Sequence, residues 1–159
     1  NEDEETIPAI SKYDRIPSFY TTLDSWIHNT NVLCCQCTLN IKGIPVPIPC
    51  NVEPGKSGIN IFDVEKKLCC SFHCAARFIV TIFSNSRERR NRISMLRMIR
   101  NDFYNSGYPD SITNKKISMS HEIPLAPLGN NLSKFGGDLE VEDFRKKIAE
   151  LENNMLKKD

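Results

Sequence analysis

The chain has almost no excess of charge: 21 Lys and Arg stand against 20 Asp and Glu, a formal net charge of +1 over 159 residues. This balance excludes a global pull toward nucleic acid, so any basic surface must be local. No apolar run approaches the roughly 18 residues of a membrane-spanning helix; the longest lies around Phe78-Ile79-Val80-Thr81-Ile82-Phe83. The opening Asn1-Glu2-Asp3-Glu4-Glu5 is acidic and does not read as a targeting peptide. Histidine is scarce, with only His28, His73 and His121. None stands in a His-x-Glu motif ahead of a cysteine pair, as the zinc deaminases require, and no paired carboxylates sit beside a nucleophile. Gly55-Lys56-Ser57 has the ending of a phosphate loop, but five residues before Gly55 stands Cys50 where that motif needs glycine. Nucleotide binding there is rejected, and no enzyme is expected.

Cysteine is what the chain has in plenty. Seven are present, an odd number falling partly in adjacent pairs and following no secretory signal, which argues against a disulfide scaffold and for reduced thiols in a cytosolic or nuclear setting. Cys34-Cys35-Gln36-Cys37 has knuckle spacing, in which Cys-x-x-Cys on a tight turn aims two sulfurs at one point. Cys70-Ser71-Phe72-His73-Cys74 places two thiols four apart, on one face if the segment is helical. Cys34, Cys37, Cys70 and Cys74 then make a tetrahedral set. Four thiolates suit Zn2+, and with every position filled by protein no water is left to activate, so one structural ion is expected. Adjacency leaves alternatives open: Cys35 or Cys69 could take the place of its neighbour, and His73 could replace a cysteine of the second pair. Otherwise Cys35, Cys69 and Cys50 are expected to be small buried hydrophobes, and Cys35 and Cys69, for which redox activity is the alternative, to be inert beside metal thiolates.

The length suits one α+β domain with a modest core. Residues 1–12 form an acidic arm expected to be mobile, 13–137 the globular domain around a finger at 33–80, and 138–159 a C-terminal amphipathic helix. Phe19, Leu23, Trp26 and Ile27 are spaced for a helix over 18–29. The prolines of Ile44-Pro45-Val46-Pro47-Ile48-Pro49 predict an extended, edge-like arm, and 51–58 a loop. Residues 59–64 and 67–69 are expected to form a short hairpin feeding the second cysteine pair. A strand pair followed by a helix with the last two ligands is a treble-clef arrangement.

After a buried helix from Ser71 to Phe83 and a break at Ser84-Asn85-Ser86 comes an arginine-rich helix, 86–104, with six Arg against one Glu between Arg87 and Arg100. In projection Met95, Leu96, Ile99 and Phe103 share one side and Arg89, Arg90, Arg97 and Arg100 another; Arg92 falls among the apolar residues and Ile93 among the arginines. Arg87, Arg89, Arg90, Arg97 and Arg100 are the candidates for contact with nucleic acid or an acidic partner. Toward the C-terminus, 105–110 reads as a turn and Phe135-Gly136-Gly137 as a buried aromatic before a tight turn. Val141, Phe144, Ile148, Leu151 and Met155 then repeat at three and four, a seam for this chain's own domain or for a partner.

A Cys-x-x-Cys, some thirty residues of extended chain with prolines, then Cys69-Cys70-Ser71-Phe72-His73-Cys74 entering a helix resembles the FCS or MYM-type zinc finger, with Cys69 where that family usually has Phe. With the tail Leu132-Ser133-Lys134-Phe135-Gly136-Gly137 and Glu142-Asp143-Phe144-Arg145, the chain looks similar to the late transcription factor 2 family of poxviruses and other large cytoplasmic DNA viruses. The resemblance covers about 33–80 and 124–147. It implies a zinc-binding, non-enzymatic regulator of viral late transcription whose partners are DNA, the transcription machinery or other viral proteins. The setting it implies is the host cytoplasm, at the viral factory, or the virion. Neither a membrane nor a small-molecule substrate is implied. The competing expectation is a virion structural or assembly protein that uses the metal site as an interaction scaffold.

Overall fold

A computed structural model describes residues 15–106, 117–119, 122–128 and 140–158. The acidic arm, most of the predicted turn after Asn105 and Phe135-Gly136-Gly137 lie outside the described residues. Nine elements follow one another among the described residues: β1 (Phe19–Tyr20), β2 (Val46–Pro54), a 3-10 turn (Lys56–Gly58), β3 (Asn60–Cys69), α1 (Phe72–Ile82), α2 (Ser86–Asn105), β4 (Ile117–Met119), α3 (Val141–Met155) and β5 (Leu156–Lys158). The fold is α+β: one antiparallel sheet in the order β1-β3-β2, a separate β4-β5 pair, and three helices among the described residues.

The proline arm is a sheet strand. β2 takes the edge of the sheet, where a residue without N–H breaks the ladder least, and its register against β3 shifts on either side of Pro49. The hairpin partner of β3 is therefore β2, correcting the expectation of a hairpin within 59–69: Asn60–Cys69 runs as one strand, and the predicted loop at 51–54 is strand as well. The turn between them is Gly55-Lys56-Ser57-Gly58. Gly55 donates its N–H to the Ile59 carbonyl at 2.8 Å, and a Cβ at Gly55 would stand 2.5 Å from that oxygen, so only glycine closes the hairpin. Ser57 and Gly58 carry the positive φ angles of the reversal.

The helix predicted over 18–29 does not form. Phe19 and Tyr20 instead pair with Phe62 and Asp63 on the free edge of β3. Asp102 of α2 then holds the chain in turns, accepting from the Tyr20 hydroxyl and, at 3.2 Å, from the Leu23 N–H. Leu23 and Trp26 still reach the core, and the Trp26 indole donates to the Pro45 carbonyl at 2.8 Å. Tyr20 packs on Phe103 at 5.7 Å between centroids, and Phe103 meets Phe72 edge-on at 4.9 Å. These aromatics join the sheet to α1 and α2 on the side of the second cysteine pair.

The break between α1 and α2 is capped from both directions. The Phe83 N–H closes the last turn of α1 on Ile79, and the Asn85 side chain accepts from the Glu88 N–H at the start of α2. No helix among the described residues is long and apolar enough to cross a membrane.

Candidate metal centre

Local backbone geometry builds each half of the centre. In the knuckle, the Cys34 N–H donates to Leu39 and the Thr38 N–H to the Cys34 carbonyl, at 2.9 and 2.8 Å. Thr38 takes a positive φ of 65°, turning the chain back immediately after Cys37. The Cys37 N–H lies 3.5 Å from the Cys34 sulfur, and such donors stabilise thiolate. The second half sits at a helix N-terminus. Ser71 is the N-cap of α1, accepting from the Cys74 N–H at 3.1 Å, so Cys70 lies just before the helix and Cys74 in its first turn. The two thiols therefore converge around a cap, not along one helical face as i and i+4. This position also favours negative charge, because the first turn presents unpaired N–H groups.

The sulfurs of Cys34, Cys37, Cys70 and Cys74 lie within 4.8 Å of one another, and this is the cluster among the described residues that could hold a metal ion. The spacing gives a direct test of fit. Four sulfurs at about 2.3 Å from a common centre lie about 3.8 Å apart along the edges of a tetrahedron. Cys37 to Cys70 measures 3.8 Å and Cys70 to Cys74 measures 3.6 Å. Three of the four residues are buried and Cys70 is partly so. The Cys34 thiol is held below the ordinary thiol range, because the thiols of Cys37, Cys69, Cys70 and Cys74 donate toward its sulfur.

The other candidate ligands fall outside this set. Cys35 and Cys69 face one another at 3.2 Å, next to the four but outside the set. His73 is buried and its Nδ1 bonds the Pro124 carbonyl at 2.8 Å, which turns the ring toward the 122–128 segment. Cys50 is remote and donates to Glu65 at 3.3 Å. Burial and that carboxylate push its thiol up to about 11.

α3 closes over the knuckle. Phe144 is fully buried, Arg145 donates to the Asn40 carbonyl at 3.3 Å, and a space of about 190 Å³ between α3 and the knuckle is lined by Leu39, Cys70 and Phe144 among others. The apolar seam of α3 is visible in the sequence, but the surface it covers is not. At least through Phe144, that surface belongs to its own domain.

The six arginines have three fates. Arg89, Arg90 and Arg97 line a groove of about 550 Å³ with Ser86, Ile93 and Ser94 on α2, Val80 on α1, and Glu122. Arg87 is exposed outside that groove. Arg92 and Arg100 are buried, at 8% and 3% exposure. This removes Arg100 from the surface expected of it, since Arg92, Leu96 and Arg100 follow at intervals of four along the face that packs inward. Arg92 is clamped by Glu65 and Glu88 at 2.9 Å each, by the Pro49 carbonyl at 3.2 Å, and by the Phe83 ring 3.8 Å below its guanidinium. The anomaly in the helical projection is therefore a tie between α2 and the sheet.

Fold and site together define a small α+β protein with a cluster of four cysteines able to hold a metal ion. The chain is similar to the uncharacterized protein B175L of African swine fever virus. It is 25% identical over 161 residues in isolate Tick/South Africa/Pretoriuskop Pr4/1996, covering 99% of this chain and 79% of that protein. The Badajoz 1971 Vero-adapted strain gives the same figures, and isolate Pig/Kenya/KEN-50/1950 is 24% identical over 150 residues, 91% of this chain and 75% of its relative. No family model and no solved structure matches the chain.

Proposed function

We propose that this protein is a non-enzymatic regulator of viral late gene transcription, folded around one structural Zn2+ held by Cys34, Cys37, Cys70 and Cys74. With four protein thiolates the ion has no open position, so its work is to fix the fold. The knuckle, the β2-β3 hairpin and a following helix that carries the last ligand support a treble-clef reading of the finger. The observation that carries the functional reading is the groove where Arg89, Arg90 and Arg97 converge from one stripe of α2. Guanidinium groups so placed can contact successive phosphates of a nucleic acid, with the serines as further donors. The similarity to a viral protein and the resemblance to the late transcription factor 2 family supply the setting.

The test is a DNA titration at 50 and 200 mM salt. Three phosphate contacts predict a roughly 40-fold loss of affinity across that range, and Arg89→Gln/Arg90→Gln/Arg97→Gln should abolish most of the salt dependence. Binding to another viral protein without measurable DNA affinity would favour a virion assembly scaffold instead.

A further inference from the structure

One close sulfur contact lies outside the four-cysteine set. Cys35 and Cys69 approach to 3.2 Å, against 3.6 and 3.8 Å for contacts inside it. The two residues are brought together by backbone: the Cys35 N–H donates to the Leu68 carbonyl at 2.9 Å, pinning the knuckle to the last residues of β3. Their exposures are unequal. Cys69 is completely buried, whereas Cys35 is partly open to solvent.

We propose that Cys35 and Cys69 are a redox-active dithiol that closes to a disulfide beside the intact four-cysteine centre, with a low-molecular-weight disulfide as oxidant. The sulfurs need to close by roughly 1.2 Å to reach the S–S bond length of about 2.05 Å. Cys35 reacts first. Its sulfur attacks one sulfur of the oxidant, forming a mixed disulfide and releasing one small thiol, which carries away the Cys35 proton. The Cys69 sulfur then attacks the Cys35 sulfur, the mixed bond breaks, and a second small thiol leaves with the Cys69 proton. Two protein thiols are oxidised and one disulfide is reduced to two thiols. The product ties the knuckle to the end of β3 by a covalent bond that uses none of the four candidate ligands. These two cysteines read in the sequence as inert filler, because their neighbours and not they have ligand spacing.

That the neighbouring four are spared rests on the metal reading above; the identity of the bridged pair does not. The test therefore measures both separately. Purified protein is incubated with oxidised glutathione, digested without reduction and mapped by mass spectrometry, and zinc is counted before and after. The expected result is a Cys35–Cys69 bridge with the zinc count unchanged. In Cys69→Ala the bridge should be replaced by glutathione retained on Cys35. In Cys35→Ser, the second variant should the first fail to fold, Cys69 should stay reduced because it is enclosed. A bridge among Cys34, Cys37, Cys70 and Cys74, or Cys35 and Cys69 both remaining free thiols, overturns the proposal. Absence of zinc from the starting sample would count against the metal centre alone, while the bridge map would still decide this inference.

Discussion

The two ends of the candidate machinery are built by different rules. The cysteine centre is assembled from two short turns, each of which sets its own pair of sulfurs by local hydrogen bonds. The arginine helix supplies six like charges in one stretch, and the rest of the fold decides which of them face water. One guanidinium is locked by two carboxylates and a ring, another is enclosed, and three line a groove. A metal site can therefore be concentrated in a few residues, whereas a binding face depends on what the tertiary structure leaves over. Substitutions should separate the two: at the first region they should cost the fold, and at the second only the contact.

The largest effect is expected at the thiols. Cys34→Ser or Cys74→Ser should unfold the domain, because a structural zinc site contributes on the order of 10 kcal/mol, as much as an ordinary domain's whole stability. Circular dichroism should show no cooperative melt, and a chelator should do the same to the unaltered chain. A variant that keeps its melting temperature would remove that residue from the centre.

Next is the lid. Phe144→Ala should cost about 3 kcal/mol, from a fully buried ring, and hydrogen exchange should show α3 and the knuckle loosening together. Protection lost in α3 alone would break the link between them. Arg92→Met should cost about 2 kcal/mol in denaturant titration, below the usual toll for a buried pair because Glu65 and Glu88 are one-third and nearly one-half exposed. An unchanged midpoint would mean that Arg92 is another surface charge.

These outcomes bear on how much could be read from residues alone. The cysteine pairs were legible because ligand spacing is a local property, and the four-thiol set follows from it. His73 and the two spare cysteines could not be excluded by spacing, since all lie within one residue of a ligand; only the Pro124 carbonyl and the mutual contact of Cys35 and Cys69 separate them. The false helix at 18–29 had the right period and the wrong partner: Asp102, some eighty residues away, takes the Leu23 N–H, and the edge of β3 takes Phe19 and Tyr20. The prolines of β2 correctly mark an edge, but a hairpin partner is set by the turn, and the loop expected at 51–58 contains that turn without showing which two strands it joins. Helical period placed Arg92 among apolar residues without showing that Glu65 would meet it there.

At the groove the effect on stability should be near zero. The triple Arg89, Arg90 and Arg97 to Gln variant should melt within about 0.5 kcal/mol of the parent while the slope of log affinity against log salt falls by about 3. A destabilised variant, or an unchanged slope, would erase the contrast between the two regions. The smallest effect concerns Cys50, whose thiol lies near 11 under burial and the Glu65 carboxylate. At pH 8 it should alkylate more slowly than a free thiol, with the rate climbing toward pH 11. Glu65→Gln should move that rise to lower pH, since it removes the negative charge that holds the proton on; a shift the other way would contradict the assignment.

The most direct measurement is elemental analysis of the purified protein, repeated on Cys34→Ser. One zinc per chain is expected in the first and none in the second, with loss of the fold accompanying loss of the metal. A parent chain that contains no metal and still melts cooperatively would contradict that expectation.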